Sequence, residues 1–87
     1  MAVTGTTSSY TATANDEYIG VNSASAVTIS LPLGIPGRVY TIKDEYGQGS
    51  GKITIQPTSP EKIDNSINYI ISEPYQSVAV VFRGNQW

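Results

Sequence analysis

Asp44 and Glu45 stand side by side, and a pair of carboxylates is what acid–base cleavage of a glycosidic bond requires. The run Tyr40-Thr41-Ile42-Lys43-Asp44 alternates like a strand, and successive strand residues point to opposite faces. The two carboxylates therefore cannot flank one substrate atom and are read as a charged strand end that pairs with lysine or caps turn amides. The chain has no His and no Cys, so ordinary nucleophile triads and zinc or copper sites are not expected. A calcium ion needs only oxygen ligands, and Asp16, Glu17, Asp44, Glu45 and Asp64 could supply them. None is spaced as in an EF-hand loop, so no metal and no cofactor are expected. Gly47-Gln48-Gly49-Ser50-Gly51 has the look of a phosphate cradle but leads into a strand, without the helix whose N-terminus would hold the anion. No enzymatic activity is expected.

Aromatic residues are the better candidates for recognition. Six tyrosines and Trp87 offer broad, rigid, amphipathic faces suited to sugar rings or protein partners. Tyr18, Tyr40 and Tyr69 fall on strands and are read as core or subunit-interface residues. Tyr46 and Tyr75 fall in turns, so the candidate ligand site is Tyr46, Gln48, Tyr75 and Gln76.

The elements that must position these residues are strands. Ile19 and Val21 oppose Tyr18 and Gly20; Val27, Ile29 and Leu31 alternate with Thr28 and Ser30; Val39 to Asp44 and Lys52 to Gln56 follow. Between the last two, Gly47, Gly49 and Gly51 allow the backbone to reverse as in a hairpin. Lys62 to Asn65 reads as a short strand entering an Asx-type turn, and Ile67 to Ile71 as a strand with Ile67, Tyr69 and Ile71 on one face. Val78 to Phe82 is apolar on both faces, which implies two covering layers. Arg83-Gly84-Asn85-Gln86 reads as a tight turn, after which Trp87 either plugs the module edge or belongs to a strand that continues further.

No helical periodicity of useful length occurs, and Pro or Gly recurs every few residues from Gly34 to Gly51. The expected fold is all-β, a small antiparallel sandwich or barrel-like module of about seven strands. Residues 1–14, rich in Thr and Ser, are read as a connector or edge strand, and residues 15–87 as the β-module.

Composition sets the remaining bounds. A single domain of 87 residues buries a modest share of its surface, and without disulfides or metal the remaining aid to stability is association of copies. Ile42, Ile53, Ile55, Val78, Val80 and Phe82 are placed in the protomer core or along a trimer axis. Net charge is −2 and the five basic residues are scattered, so no nucleic-acid partner is expected. The longest apolar run, Val78 to Phe82, is far short of the ~20 residues that span a bilayer, and no leader pattern opens the chain.

The succession Lys43-Asp44-Glu45-Tyr46-Gly47, Lys52-Ile53-Thr54-Ile55, Ile63-Asp64, Tyr69-Ile70-Ile71, Ser77 to Phe82 and Asn85-Gln86-Trp87 resembles a β-rich module of bacteriophage tail fibres, tailspikes and virion fibres. The resemblance extends over Tyr10 to Trp87. It implies a homotrimer within a virion, assembled in the host cytoplasm, that contributes structure and host attachment. A host surface glycan or protein is the implied partner. Absence of cysteine fits a particle built in a reducing cytosol and later exposed outside. The alternatives are a monomeric carbohydrate-binding module appended to an enzyme or surface protein, and a capsid decoration domain.

Overall fold

The computed structural model describes residues 3–6, 8–47, 53–84 and 86–87. Eight strands are present: β1 (Val3–Thr6), β2 (Tyr10–Thr11), β3 (Tyr18–Val21), β4 (Val27–Ser30), β5 (Val39–Asp44), β6 (Ile53–Gln56), β7 (Tyr69–Ile71) and β8 (Ser77–Val81). They form two sheets of four, in the orders β1-β3-β5-β8 and β2-β4-β6-β7. The chain is all-β, as its period-two patterning predicts, and no helix occurs among the described residues.

The strand directions differ from the expected antiparallel arrangement. From β1 to β6 each strand lies in the sheet opposite to its predecessor, so the chain returns to a sheet one strand over and running the same way. Hence β1–β3, β3–β5, β2–β4 and β4–β6 are parallel, and only β5–β8 and β6–β7 are antiparallel. The turn-rich stretches of the sequence thus carry the chain across the core instead of reversing it within a sheet, a winding akin to a short solenoid. The expected hairpin around Gly47 to Gly51 is likewise replaced, since β5 and β6 belong to different sheets. Its tip lies outside the described residues.

Parallel register stacks like on like. Ile29 pairs with Ile55, flanked by Tyr10 and Tyr69, to make one inward row of the second sheet; Val27, Ile53 and Ile71 make another. In the first sheet Ile19, Ile42 and Val78 form a row, and Tyr40 pairs with Val80. β-branched side chains suit these positions because they pack well on a pleated surface while losing little rotamer freedom. Ile19, Ile29, Ile42, Ile55 and Ile71 have no exposed surface at all. Trp87 closes one side of this core, its ring 5.6 Å from Tyr40 and 5.4 Å from Phe82 between centroids, so it packs as a plug. The whole exposes 4838 Å², close to the roughly 5,000 Å² that size scaling gives for a compact monomer of 9.3 kDa. The buried residues of the two sheets form one continuous core within the chain.

Two strands depart from expectation in detail. Regular pairing in β7 begins at Tyr69, leaving Ile67 outside the strand and 69% exposed. On β8, Val80 is buried and Val78 partly so, but Ala79 and Val81 face solvent, so only one of the two expected covering layers exists in the chain. The Thr/Ser-rich segment contributes β1 and β2, which are the edge strands of the two sheets.

Removing the Ile55 side chain beyond Cβ leaves a cavity in the most enclosed row. Ile55→Ala is expected to lower unfolding free energy by about 2–5 kcal/mol in denaturant titration, with no change of fold by circular dichroism.

Candidate functional site

The adjacent carboxylates separate as strand geometry requires. Asp44 has no exposed surface, whereas Glu45 is exposed. The Oδ1 of Asp44 accepts the backbone N–H of Tyr46 at 3.1 Å and of Gly47 at 3.0 Å, which fixes the exit of the chain from β5. Asp16 anchors a turn in the same manner. Its Oδ2 accepts the Tyr10 hydroxyl (2.7 Å), the Thr13 amide (2.8 Å) and the Thr13 hydroxyl (3.2 Å). Both buried carboxyl groups are thus surrounded by donors of their own chain. Among the described residues no three His, Cys, Asp or Glu side chains gather where they could hold a metal ion. No helix among them is long and apolar enough to cross a membrane.

Two of the four candidate ligand residues come to one surface. Tyr46 is 50% exposed and Tyr75 is 59% exposed. The Tyr75 ring rests on Gly47, where a Cβ would lie 2.5 Å from the ring's Cζ, and Gly47 itself has φ +84. A side chain at 47 would meet both the ring and the left-handed backbone, so glycine is required there twice over. Tyr75 has φ 60, a region bulky residues rarely occupy. Lys43, which sequence reasoning missed, braces it: its Nζ donates to the Tyr75 carbonyl at 2.9 Å and lies 5.9 Å from the ring centroid. The sequence held no signal for it, since Lys43 reaches Tyr75 only because β5 pairs with β8, where Lys43 stands opposite Ser77.

Gln76 is not part of that surface in the sense expected. Its Oε1 accepts the amides of Ser72 and Glu73 at 3.2 and 3.1 Å, and its Nε2 donates to the Tyr69 hydroxyl at 3.1 Å. It holds the loop that presents Tyr75. Gln48 lies outside the described residues. Tyr40, as expected, is a core residue; its hydroxyl donates to the Thr13 carbonyl at 2.9 Å.

On the outer face of the first sheet, the Tyr18 hydroxyl donates to Glu45 Oε2 at 2.7 Å. The hydrogen bond to that carboxylate, then burial, then its negative charge push the Tyr18 pKa from 10.0 up to about 12. Gly20 lies beneath, and a Cβ there would fall inside the Glu45 carboxylate, so the pair depends on a bare backbone. Compared with protein-family models, curated proteins and solved structures, the chain matches none.

Because the phenol holds its proton more tightly when folded, the Tyr18–Glu45 contact adds stability below pH 10 and loses it as pH rises toward about 12. Titration of phenolate absorbance should show a late component belonging to Tyr18, and Glu45→Gln should move that component toward pH 10. An unchanged titration in that variant would remove the assigned cause.

Proposed function

We propose that this chain is a non-enzymatic structural and host-attachment module of a bacteriophage tail fibre, tailspike or head fibre. It works in the virion as a trimer and meets the host surface through exposed aromatic side chains. The observation that carries the recognition part is Tyr75, held with its ring in water and its backbone in a left-handed conformation. A conformation of this kind costs on the order of 1–3 kcal/mol and persists only where surrounding structure enforces it. Here Lys43, Gly47 and Gln76 enforce it. A fixed aromatic face loses little conformational freedom on binding, which suits stacking against the C–H face of a saccharide. Trimeric assembly and the virion setting rest on the resemblance of the residue pattern from Tyr10 to Trp87.

A second reading, a monomeric carbohydrate-binding module, is favoured by the same exposed Tyr75 ring. The two share the aromatic surface and differ in mass.

Sedimentation at micromolar concentration is expected to give three times the chain mass; a folded monomer retained on a glycan array selects the second reading. On an array of bacterial surface polysaccharides, Tyr75→Asn should bind more than tenfold less than the parent chain. Its melting temperature should not fall, because Asn tolerates positive φ better than Tyr. Equal binding by the variant would remove Tyr75 from the recognition surface.

A further inference from the structure

Lys43 and Glu45 are two residues apart and share the outer face of the first sheet. The ladder continues past the end of β5, where the Asp44 amide donates to the Gln76 carbonyl at 3.0 Å and the Glu45 amide to the Val21 carbonyl at 2.8 Å. Side chains this long and of opposite charge can meet along a strand, yet each is held by a tyrosine instead. Glu45 Oε2 accepts the Tyr18 hydroxyl at 2.7 Å, above Gly20 on the β3 side. Lys43 Nζ donates to the Tyr75 carbonyl at 2.9 Å on the β8 side. The carboxylate and the ammonium are thereby drawn to opposite flanks of β5.

Neither group is used up by its tyrosine. Among the described residues Glu45 Oε1 has no donor, and one of the three Lys43 ammonium protons has an acceptor. Glu45 is exposed and Lys43 half-buried. The register sets short side chains beside them, with Gly20 and Ser77 flanking Lys43 and Ala79 opposite Thr41. A free acceptor and free donors on one open face match the two halves of a hydroxyl group, which donates one hydrogen bond and accepts others. Tyr75, its ring centroid 5.9 Å from Lys43 Nζ, adds an apolar face next to them.

We infer that the ligand stacked on Tyr75 is an uncharged saccharide of more than one ring, whose hydroxyl groups accept from Lys43 and donate to Glu45. This rests on the aromatic reading above and names its ligand class. Length follows from the layout: one ring covers Tyr75, and the carboxylate on the far flank of β5 meets the next. Charge decides the class. Exposed carboxylates stand at Glu45 and at Glu73, in the loop that carries Tyr75, against the single ammonium of Lys43, and the chain as a whole carries −2. An anionic polysaccharide is repelled by that balance. A cationic ligand leaves the Lys43 protons without acceptors, whereas hydroxyl groups serve both ends. Hydrogen bonds to ionised partners are the strong ones, and the Tyr18 phenol fixes the carboxylate before the ligand arrives, which lowers the cost of ordering it.

The test is binding of the full chain to bacterial surface polysaccharides sorted into uncharged and acidic sets. The parent should bind members of the uncharged set. Glu45→Gln, which still offers the Tyr18 hydroxyl an acceptor, should bind them roughly tenfold less while its circular dichroism spectrum is unchanged. Glu45→Lys should move binding from the uncharged to the acidic set, a reversal that a merely structural role for Glu45 does not produce. Tyr18→Phe, which leaves the carboxylate charged but unheld, should weaken binding severalfold and keep the preference for uncharged chains; it also replaces Glu45→Gln should that variant fail to fold. A parent that binds uncharged polysaccharides through Tyr75 but is indifferent to Glu45 variants overturns the assigned contacts and leaves the aromatic reading standing. A parent that selects the acidic set overturns the ligand class. Binding to neither set overturns both this inference and the aromatic reading.

Discussion

The sandwich depends on where the chain leaves one sheet for the other, and buried carboxyl groups hold two of those departures. Asp16 gathers Tyr10 and Thr13 between β2 and β3, and Asp44 gathers the amides of Tyr46 and Gly47 after β5. A carboxylate removed from water is tolerated only where donors replace its hydration, and hydrogen bonds to an ionised group are the strong ones. Each anchor therefore defines one exit geometry. Alternating sheets in turn produces parallel neighbours and the stacked isoleucine rows. The anchor at Asp44 also shapes the turn that carries Tyr46 and places Gly47 under the Tyr75 ring, so core and surface share one cause.

What was legible in the sequence follows from which forces are local. Alternation at Ile19/Val21, Val27/Ile29 and Ile53/Ile55 marks strands because side-chain direction has period two whatever the partner strand. It carries no information on whether that partner runs parallel. The glycines at 47, 49 and 51 serve a hairpin and a crossover equally well, and the choice is made by non-local burial of the rows. Val78 to Phe82 reads as doubly covered because alanine and valine suit either environment, and it is the uncovered outer face of the first sheet that leaves Ala79 and Val81 bare.

The aromatic surface was legible in part for a similar reason. Tyr46 and Tyr75 sit among turn residues, which puts them outside the core whatever the topology. That Tyr75 would rest on Gly47 was not visible, because the two are far apart in sequence and the contact exists only once β8 lies antiparallel to β5. Gln76 reads as a contact residue since exposed amides often are. Its amide is instead engaged by a local turn and by Tyr69, a competition that composition does not reveal.

The two ends of each sheet are treated differently, and this bears on assembly more than total area does. Soluble β proteins protect free edges with charge, proline or short strands, because unpaired amides and apolar side chains together template unwanted pairing. β2 is two residues long, and the segment around it is polar. β8 has five residues without charge or proline, bordered by half-exposed Val39 and Val81. Half exposed as they are in the single chain, these side chains add little to its stability that polar residues would not match. Half-exposed valines beside an uncharged, proline-free edge are the kind of surface that a covering partner would bury, whereas the two-residue β2 needs no such cover.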